Sequence, residues 1–188
     1  MAASGKVYVS KFSCHFRQAA SFLPKVAYPD SPMNTLVDRS LAPMELVCPA
    51  GSLPALKAAV DHGADCVYLG FRDATNARNF AGLNFDEAAI ATGIRYAHDR
   101  GRKVLLALNT YPQAASPQVW QKAIDRAAES GVDAVILADP GLMAYAVKIH
   151  PTLRLHLSVQ GSATNYEAIN FYHSTLALPA PYCRAYCR

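Results

Sequence analysis

The chain has 188 residues, five cysteines and a formal net charge of +4, with 52% hydrophobic and 17% charged residues. That length can bury a substantial core, and the low charge content argues against a disordered chain. No apolar run approaches the ~20 residues a bilayer-spanning helix needs, and five cysteines at this length do not make a disulfide scaffold.

The charge is unevenly placed. Residues 1–43 carry five basic residues (Lys6, Lys11, Arg17, Lys25 and Arg39) against Asp30 and Asp38. They show no lasting hydrophobic periodicity and are punctuated by Pro24, Pro29, Pro32 and Pro43. Two readings fit them: a transit-type presequence, or an extension outside the fold, with Met44 the start of the domain. The second is carried forward. Residues 44–173 hold 11 basic and 12 acidic residues, and 174–188 add Arg184 and Arg188. The positive excess therefore sits in the two ends. The central stretch lacks the basic surface with interleaved aromatics of a nucleic-acid module.

From Met44, apolar runs alternate with helical patterns. Glu45–Cys48 reads as a first strand. Ser52 caps a helix with Pro54 in its first turn, Leu56, Ala59 and Val60 at helical spacing, and Gly63 as the stop. Asp65–Leu69 is a second strand. Asn84 with Glu87 predicts a capping box, opening a helix whose Ile90, Ile94 and Ala97 share a face and which ends near Gly101. Lys103–Asn109 is the third strand, and Pro117–Glu129 a helix stopped by Gly131. Asp133–Leu137 is the fourth strand. Asp139-Pro140 opens a helix that ends before Pro151. Arg154–Gln160 is the fifth strand. Thr164 with Glu167 opens a last helix through Phe171.

Gly63-Ala-Asp-Cys-Val-Tyr-Leu69 is echoed by Gly131-Val-Asp-Ala-Val-Ile-Leu137, two β/α units later. Near-continuous apolar strands alternating with helices predict an α/β fold with a parallel sheet. A (β/α) barrel and an open doubly wound sheet both fit. No G-x-G-x-x-G follows the first strand, so a dinucleotide site has no support. Five units make only part of an eight-stranded barrel.

In either architecture, function gathers at the C-terminal ends of the strands. Those ends carry Cys48-Pro-Ala-Gly51, a long loop after Gly70, Asn109-Thr110, Asp139, and Ser158-Val-Gln160. The long loop is dense in donors, notably Arg72, Asn76, Arg78 and Asn79, and arginine forks suit carboxylate or phosphate. Arg78 is a candidate ligand contact, or else a loop-packing side chain. His156, Ser158 and Gln160 alternate with Leu155, Leu157 and Val159, so the three polar residues share a strand face. They form either a site or a structural hydrogen-bond network, and no orienting carboxylate completes a triad. Cys48 and Cys66 read as isolated buried thiols. Cys183-x-x-x-Cys187 lacks a second pair, so no metal site is assigned.

Several of these motifs together resemble a known family. They are Met44-Glu-Leu-Val-Cys-Pro-Ala-Gly51, Gly63–Gly70, Asn76-Ala-Arg-Asn-Phe-Ala-Gly-Leu-Asn-Phe85, Leu108-Asn-Thr110, Ala138-Asp139, and His156–Gln160 with Asn165. In that order they resemble the collagenase-like peptidase family U32. The Asn76–Phe85 stretch is similar to the UbiU type of ubiquinone-biosynthesis protein within it. The resemblance covers Met44–His173, about the N-terminal half of such a protein, and implies a partial TIM-like (β/α) barrel. It adds Asn165 to the candidate ligand residues.

For the UbiU type the resemblance implies oxygen-independent hydroxylation in ubiquinone biosynthesis, a UbiV-like partner subunit, a 4Fe-4S cluster and a cytoplasmic setting. Other members are described as collagenase-like peptidases or hydroxylate RNA bases. The cluster cysteines of the family lie in its C-terminal half, so no iron ligand is carried over to Cys48, Cys66, Cys183 or Cys187. The pattern is lost at Ser174. The expectation is that 174–188 is an aberrant tail from a frame change or truncation, leaving a chain that is unstable and iron-free alone. Three functional readings stay open: a hydroxylation subunit, a peptidase, and a non-enzymatic half-barrel that binds a carboxylated ligand or a partner.

Overall fold

A computed structural model describes residues 45–176. Its elements follow the alternating pattern: β1 (Val47–Pro49), α1 (Leu53–Asp61), β2 (Cys66–Gly70), α2 (Glu87–His98), β3 (Lys103–Leu108), α3 (Gln118–Ser130), β4 (Ala134–Leu137), α4 (Pro140–Ile149), β5 (Leu155–Leu157) and α5 (Tyr166–Leu176). A 3-10 turn over Val159–Gly161 joins β5 to the segment before α5.

All neighbouring strands pair in parallel, and their order in the sheet is β1-β2-β3-β4-β5. Sequence order without a switch point is the winding of a barrel, whereas a doubly wound sheet reverses once. The packing agrees. Val67, Leu69, Val104, Leu106, Leu108, Val135 and Leu137 pack with Leu56, Ile90, Ile124, Met143 and other helix residues. The alternate strand positions Cys66, Leu105, Ala107, Ala134 and Ile136 form a separate small cluster with Tyr68. The helices therefore cover one face, and the other face is the interior of a partial (β/α) barrel. Leu106, at 0% exposure, illustrates the helix-side core; burying one such side chain stabilises by about 1.5–3 kcal/mol.

Local chemistry sets the element ends. Ser52 Oγ accepts from the Ala55 amide, with Pro54 in the first turn of α1. Asp139 does the same for α4, accepting from the Leu142 amide at 2.8 Å. Gly131 closes α3 in the left-handed region at φ 76°, where a Cβ is disfavoured.

Several expected boundaries move. The first strand lies at Val47–Pro49 instead of Glu45–Cys48. Asn84 does not cap α2: it sits at φ 72°, and its side chain bonds within the preceding loop. Asp86 is the cap, its carboxylate accepting from the Ala89 amide at 2.9 Å. At α5 the accepting side chain is Asn165, to the Ala168 amide at 2.8 Å, and not Thr164. That helix continues past Phe171 to Leu176. The fifth strand ends at Leu157, because Ser158 Oγ accepts from the Gln160 amide and turns the chain into the 3-10 turn.

Helices α1 and α2 touch at Gly93, where a Cβ would lie 2.8 Å from Leu56 Cδ1. Gly93→Val should cost about 1–3 kcal/mol by overpacking. Chemical denaturation checks this; an unchanged midpoint would show that the two helices are not in close contact.

Candidate functional site

The loop between β2 and α2 is built around two buried amides. Asn76 and Asn84 are 7% and 8% exposed. Asn76 Nδ2 donates to Asn84 Oδ1 at 2.9 Å, and Asn84 Nδ2 donates to the Arg78 carbonyl at 2.8 Å. The Arg78 amide donates back to Asn76 Oδ1 at 3.0 Å, and the Asn84 amide donates to the Gly51 carbonyl at 2.7 Å. Such a closed set satisfies groups whose unpaired burial would be costly. The pair rests on the end of β2 because Gly70 has no side chain: a Cβ there would collide with the Asn76 amide.

Further bonds tie the loop to its surroundings. Asn109 Oδ1 accepts from the Ala77 amide at 3.0 Å, and Thr110 Oγ1 donates to the Ala74 carbonyl at 2.7 Å. Trp120 Nε1 in turn donates to Thr110 Oγ1. From α3, Arg126 pairs with Asp73 at 3.0 Å and Glu87 at 3.2 Å, and stacks 4.2 Å from the Phe71 ring centroid. The loop is thus held by β3 and α3 as well as by its own amides.

This scaffold walls one side of a cavity of about 560 Å³ at the C-terminal ends of the strands. Its lining includes Gly51, Tyr68, Asn76, Arg78, Asn109, Ile136, Ser158 and Gln160, with Phe80, Leu83 and Val159 at the lip. The lip is apolar and open, these three side chains being 61%, 43% and 64% exposed. Among the described residues Arg78 is the one cation in the lining, its Nη1 3.4 Å from the Tyr68 hydroxyl.

The sequence candidates separate into three groups. Arg78 and Gln160 line the cavity with exposed side chains. Asn109 and Ser158 line it too, but Asn109 holds the loop and Ser158 holds the 3-10 turn. Asp139 and Asn165 accept helix-starting amides, and Asn79 is exposed outside the lining. The single polar face expected of His156, Ser158 and Gln160 does not form. His156 lies on the interior face and lines a second cavity of about 310 Å³, with Cys66, Tyr68, Lys103, Asp133 and Arg154. Because β5 ends at Leu157, Ser158 and Gln160 leave the strand alternation. The Asn76–Asn84 pair is the feature that sequence reasoning missed. The long loop rich in Asn, following Gly70, was its visible signal.

Electrostatics separate these groups further. Burial, followed by the nearby Arg154, pulls the His156 imidazole below its ordinary value of 6.5. Burial also pushes the Cys66 thiol up to about 12, helped by Asp133 and Glu45, which is the opposite of an activated nucleophile. Cys48 and Cys66 stand on adjacent strands but pack on opposite faces of the sheet. Among the described residues no three His, Cys, Asp or Glu side chains gather to hold a metal. The described residues therefore do not fit an iron–sulfur cluster. No helix among them is long and apolar enough to cross a membrane.

A sheet wound as a partial α/β barrel, with a cavity at the strand ends, defines the class of protein. Comparison with known proteins gives the family. The family model of peptidase family U32 matches residues 51–177, and the chain belongs to that family. It is 39% identical over 130 residues to tRNA hydroxylation protein P of Helicobacter pylori, covering 69% of this chain and 31% of that protein. It is 39% identical over 129 residues to an uncharacterized protease of Methanocaldococcus jannaschii, with 69% and 31% covered. The chain thus spans about a third of the length of these relatives. A solved U32 peptidase superposes with a TM-score of 0.58 at 16% identity, over 72% of this chain and 56% of that one. This last likeness shows the fold.

Two outcomes follow. Asn84→Gly keeps the left-handed backbone but removes the side-chain bonds to Asn76 and Arg78. It should cost about 1–3 kcal/mol and speed amide exchange at Arg78; exchange at the wild-type rate would show that the pair does not hold the loop. For His156 the depressed value means that the unfolded state takes up a proton first as pH falls. Its contribution to stability should be full above about pH 6.5 and be lost on acidification through and below that value. His156→Gln should flatten that loss in urea titrations between pH 7.5 and 5.

Proposed function

We propose that this chain forms the N-terminal wall of the substrate cavity in a hydroxylation protein of family U32. The substrate ring lies at the strand ends, beside Arg78 and under the apolar lip of Phe80, Leu83 and Val159. The observation that carries this reading is that lip above a rigid amide-built wall. An open apolar rim suits a lipophilic aromatic molecule. The Asn76–Phe85 resemblance points the same way, to a precursor of ubiquinone. The near balance of charge in the central stretch disfavours an extended phosphate backbone as ligand. A relative's name, tRNA hydroxylation protein P, supports the reaction class.

Proteolysis is the weaker reading. The Ser158 hydroxyl accepts the Gln160 amide, and His156 lines the other cavity. Cys66 shares that second cavity with His156 but is held as a thiol. Neither arrangement supplies a nucleophile with its base. A UbiV-like subunit and a cytoplasmic setting belong to the same proposal. The cluster chemistry would be supplied by residues outside those described.

The test is ligand-dependent stabilisation of the full chain. A polyprenylphenol in detergent micelles should raise the melting temperature, and Phe80→Ser should weaken its binding about tenfold while leaving the unliganded melt unchanged. Stabilisation by unmodified tRNA without any response to the prenylphenol would overturn the substrate. Gelatin cleavage lost on substituting Ser158 would overturn the reaction class.

A further inference from the structure

Side chains lining the strand-end cavity have spent acceptor atoms on the protein and kept their donors. The Ala77 N–H meets Asn109 Oδ1 at 3.0 Å, which leaves Asn109 Nδ2 as the donor end of that amide. The Gln160 amide donates to Ser158 Oγ at 3.2 Å, so the Ser158 hydroxyl proton points elsewhere. Ser158 is 4% exposed, and no acceptor among the described residues takes that proton. The Tyr68 hydroxyl accepts from Arg78 Nη1 and keeps its own proton to give. All four side chains belong to the lining. A buried hydroxyl without an acceptor costs stability, which a ligand oxygen would restore.

Charge points the same way. Among the described residues the lining holds Arg78 and no Asp or Glu. Arg100, Arg102 and Arg126 each meet a carboxylate of the chain, whereas no salt bridge among the described residues engages Arg78. The Arg78 backbone is fixed from both sides, its amide by Asn76 and its carbonyl by Asn84. The root of the side chain is therefore set in advance, and binding has only the side chain itself to order.

We propose that these donors form a carboxylate subsite. Arg78 takes the two oxygens of a ligand carboxylate in its fork. Tyr68 and Asn109 flank it as donors, and Ser158 donates to a ligand oxygen from the β5 side. One positive charge matches one negative charge. The ligand is then an aromatic carboxylate whose apolar substituent lies under Phe80, Leu83 and Val159. This inference rests on the proposed function for the place and the apolar part of the ligand; the charged group is read from the donors.

Calorimetry on the full chain at neutral pH tests it with three probes: para-hexyloxybenzoate, its neutral amide and para-hexyloxyphenol. The benzoate should bind about tenfold or more tighter than the amide. Arg78→Gln should abolish that preference while leaving amide binding and the unliganded melt unchanged, because the Arg78 backbone makes the loop bonds. Arg95→Gln, an exposed change on α2, should keep the preference. Equal binding of benzoate and amide, a preference that survives Arg78→Gln, or tighter binding of inorganic phosphate than of the benzoate would overturn the subsite. Phenol and amide binding without a preference for the benzoate would overturn the subsite and leave the proposed function standing. Tight binding of the benzoate alone would uphold the subsite and remove the neutral phenol as substrate.

Discussion

The Asn76–Asn84 amide pair, seated on the bare backbone of Gly70, is the contact on which the geometry of the strand-end cavity depends. A long loop leaving a barrel strand has no regular hydrogen-bond ladder to hold it. Here the two side chains replace that ladder: they join the Phe71 and Arg78 backbone, and the Asn84 backbone N–H adds the Gly51 carbonyl to the same hydrogen-bonded unit. Gly70 permits the close approach, and the left-handed conformation of Asn84 turns the chain back toward α2. Arg78, Phe80 and Leu83 are presented to the cavity by this unit, so their positions follow from the two asparagines.

The sheet supplies the other constraint. Helix-facing strand positions are packed to near-zero exposure, while the interior-facing Cys66, Leu105, Ala107, Ala134 and Ile136 form a separate small cluster among the described residues. The same alternation that builds the core thus leaves a concave apolar face. Burial on that face, followed by the nearby Arg154 for one and by Asp133 and Glu45 for the other, depresses the His156 imidazole and raises the Cys66 thiol. Both groups are thereby held neutral. This suits a barrel floor better than a nucleophilic centre.

The sheet, its order and the helix faces were legible because they rest on periodicity, and periodicity is a property of the chain alone. The sequence places Ser52 and Asp139 at helix starts, where both accept capping amides, and it also offers Asp139 as a ligand candidate. The errors cluster where side chains compete for backbone amides. Asn84 and Asp86 both suit a helix cap, and only the fold shows that Asn84 is occupied by Asn76. Thr164 and Asn165 pose the same ambiguity at α5. Alternation predicts a fifth strand through Gln160, but Ser158 diverts the chain by accepting the Gln160 amide, a bond that alternation does not reveal. Arg78 was found from its place on the loop after a strand end, whereas the lip of Phe80, Leu83 and Val159 depends on three segments meeting.

On the proposed function, the loop of residues 71–85 and the end of β5 form one ligand-binding wall. Hydrogen exchange read by mass spectrometry, with and without a polyprenylphenol, tests this most directly. Slowed exchange is expected at residues 76–85 and 158–161 together, with α1 and α3 unchanged. Protection confined to the second cavity, around Cys66 and His156, or spread evenly over the chain, would contradict it.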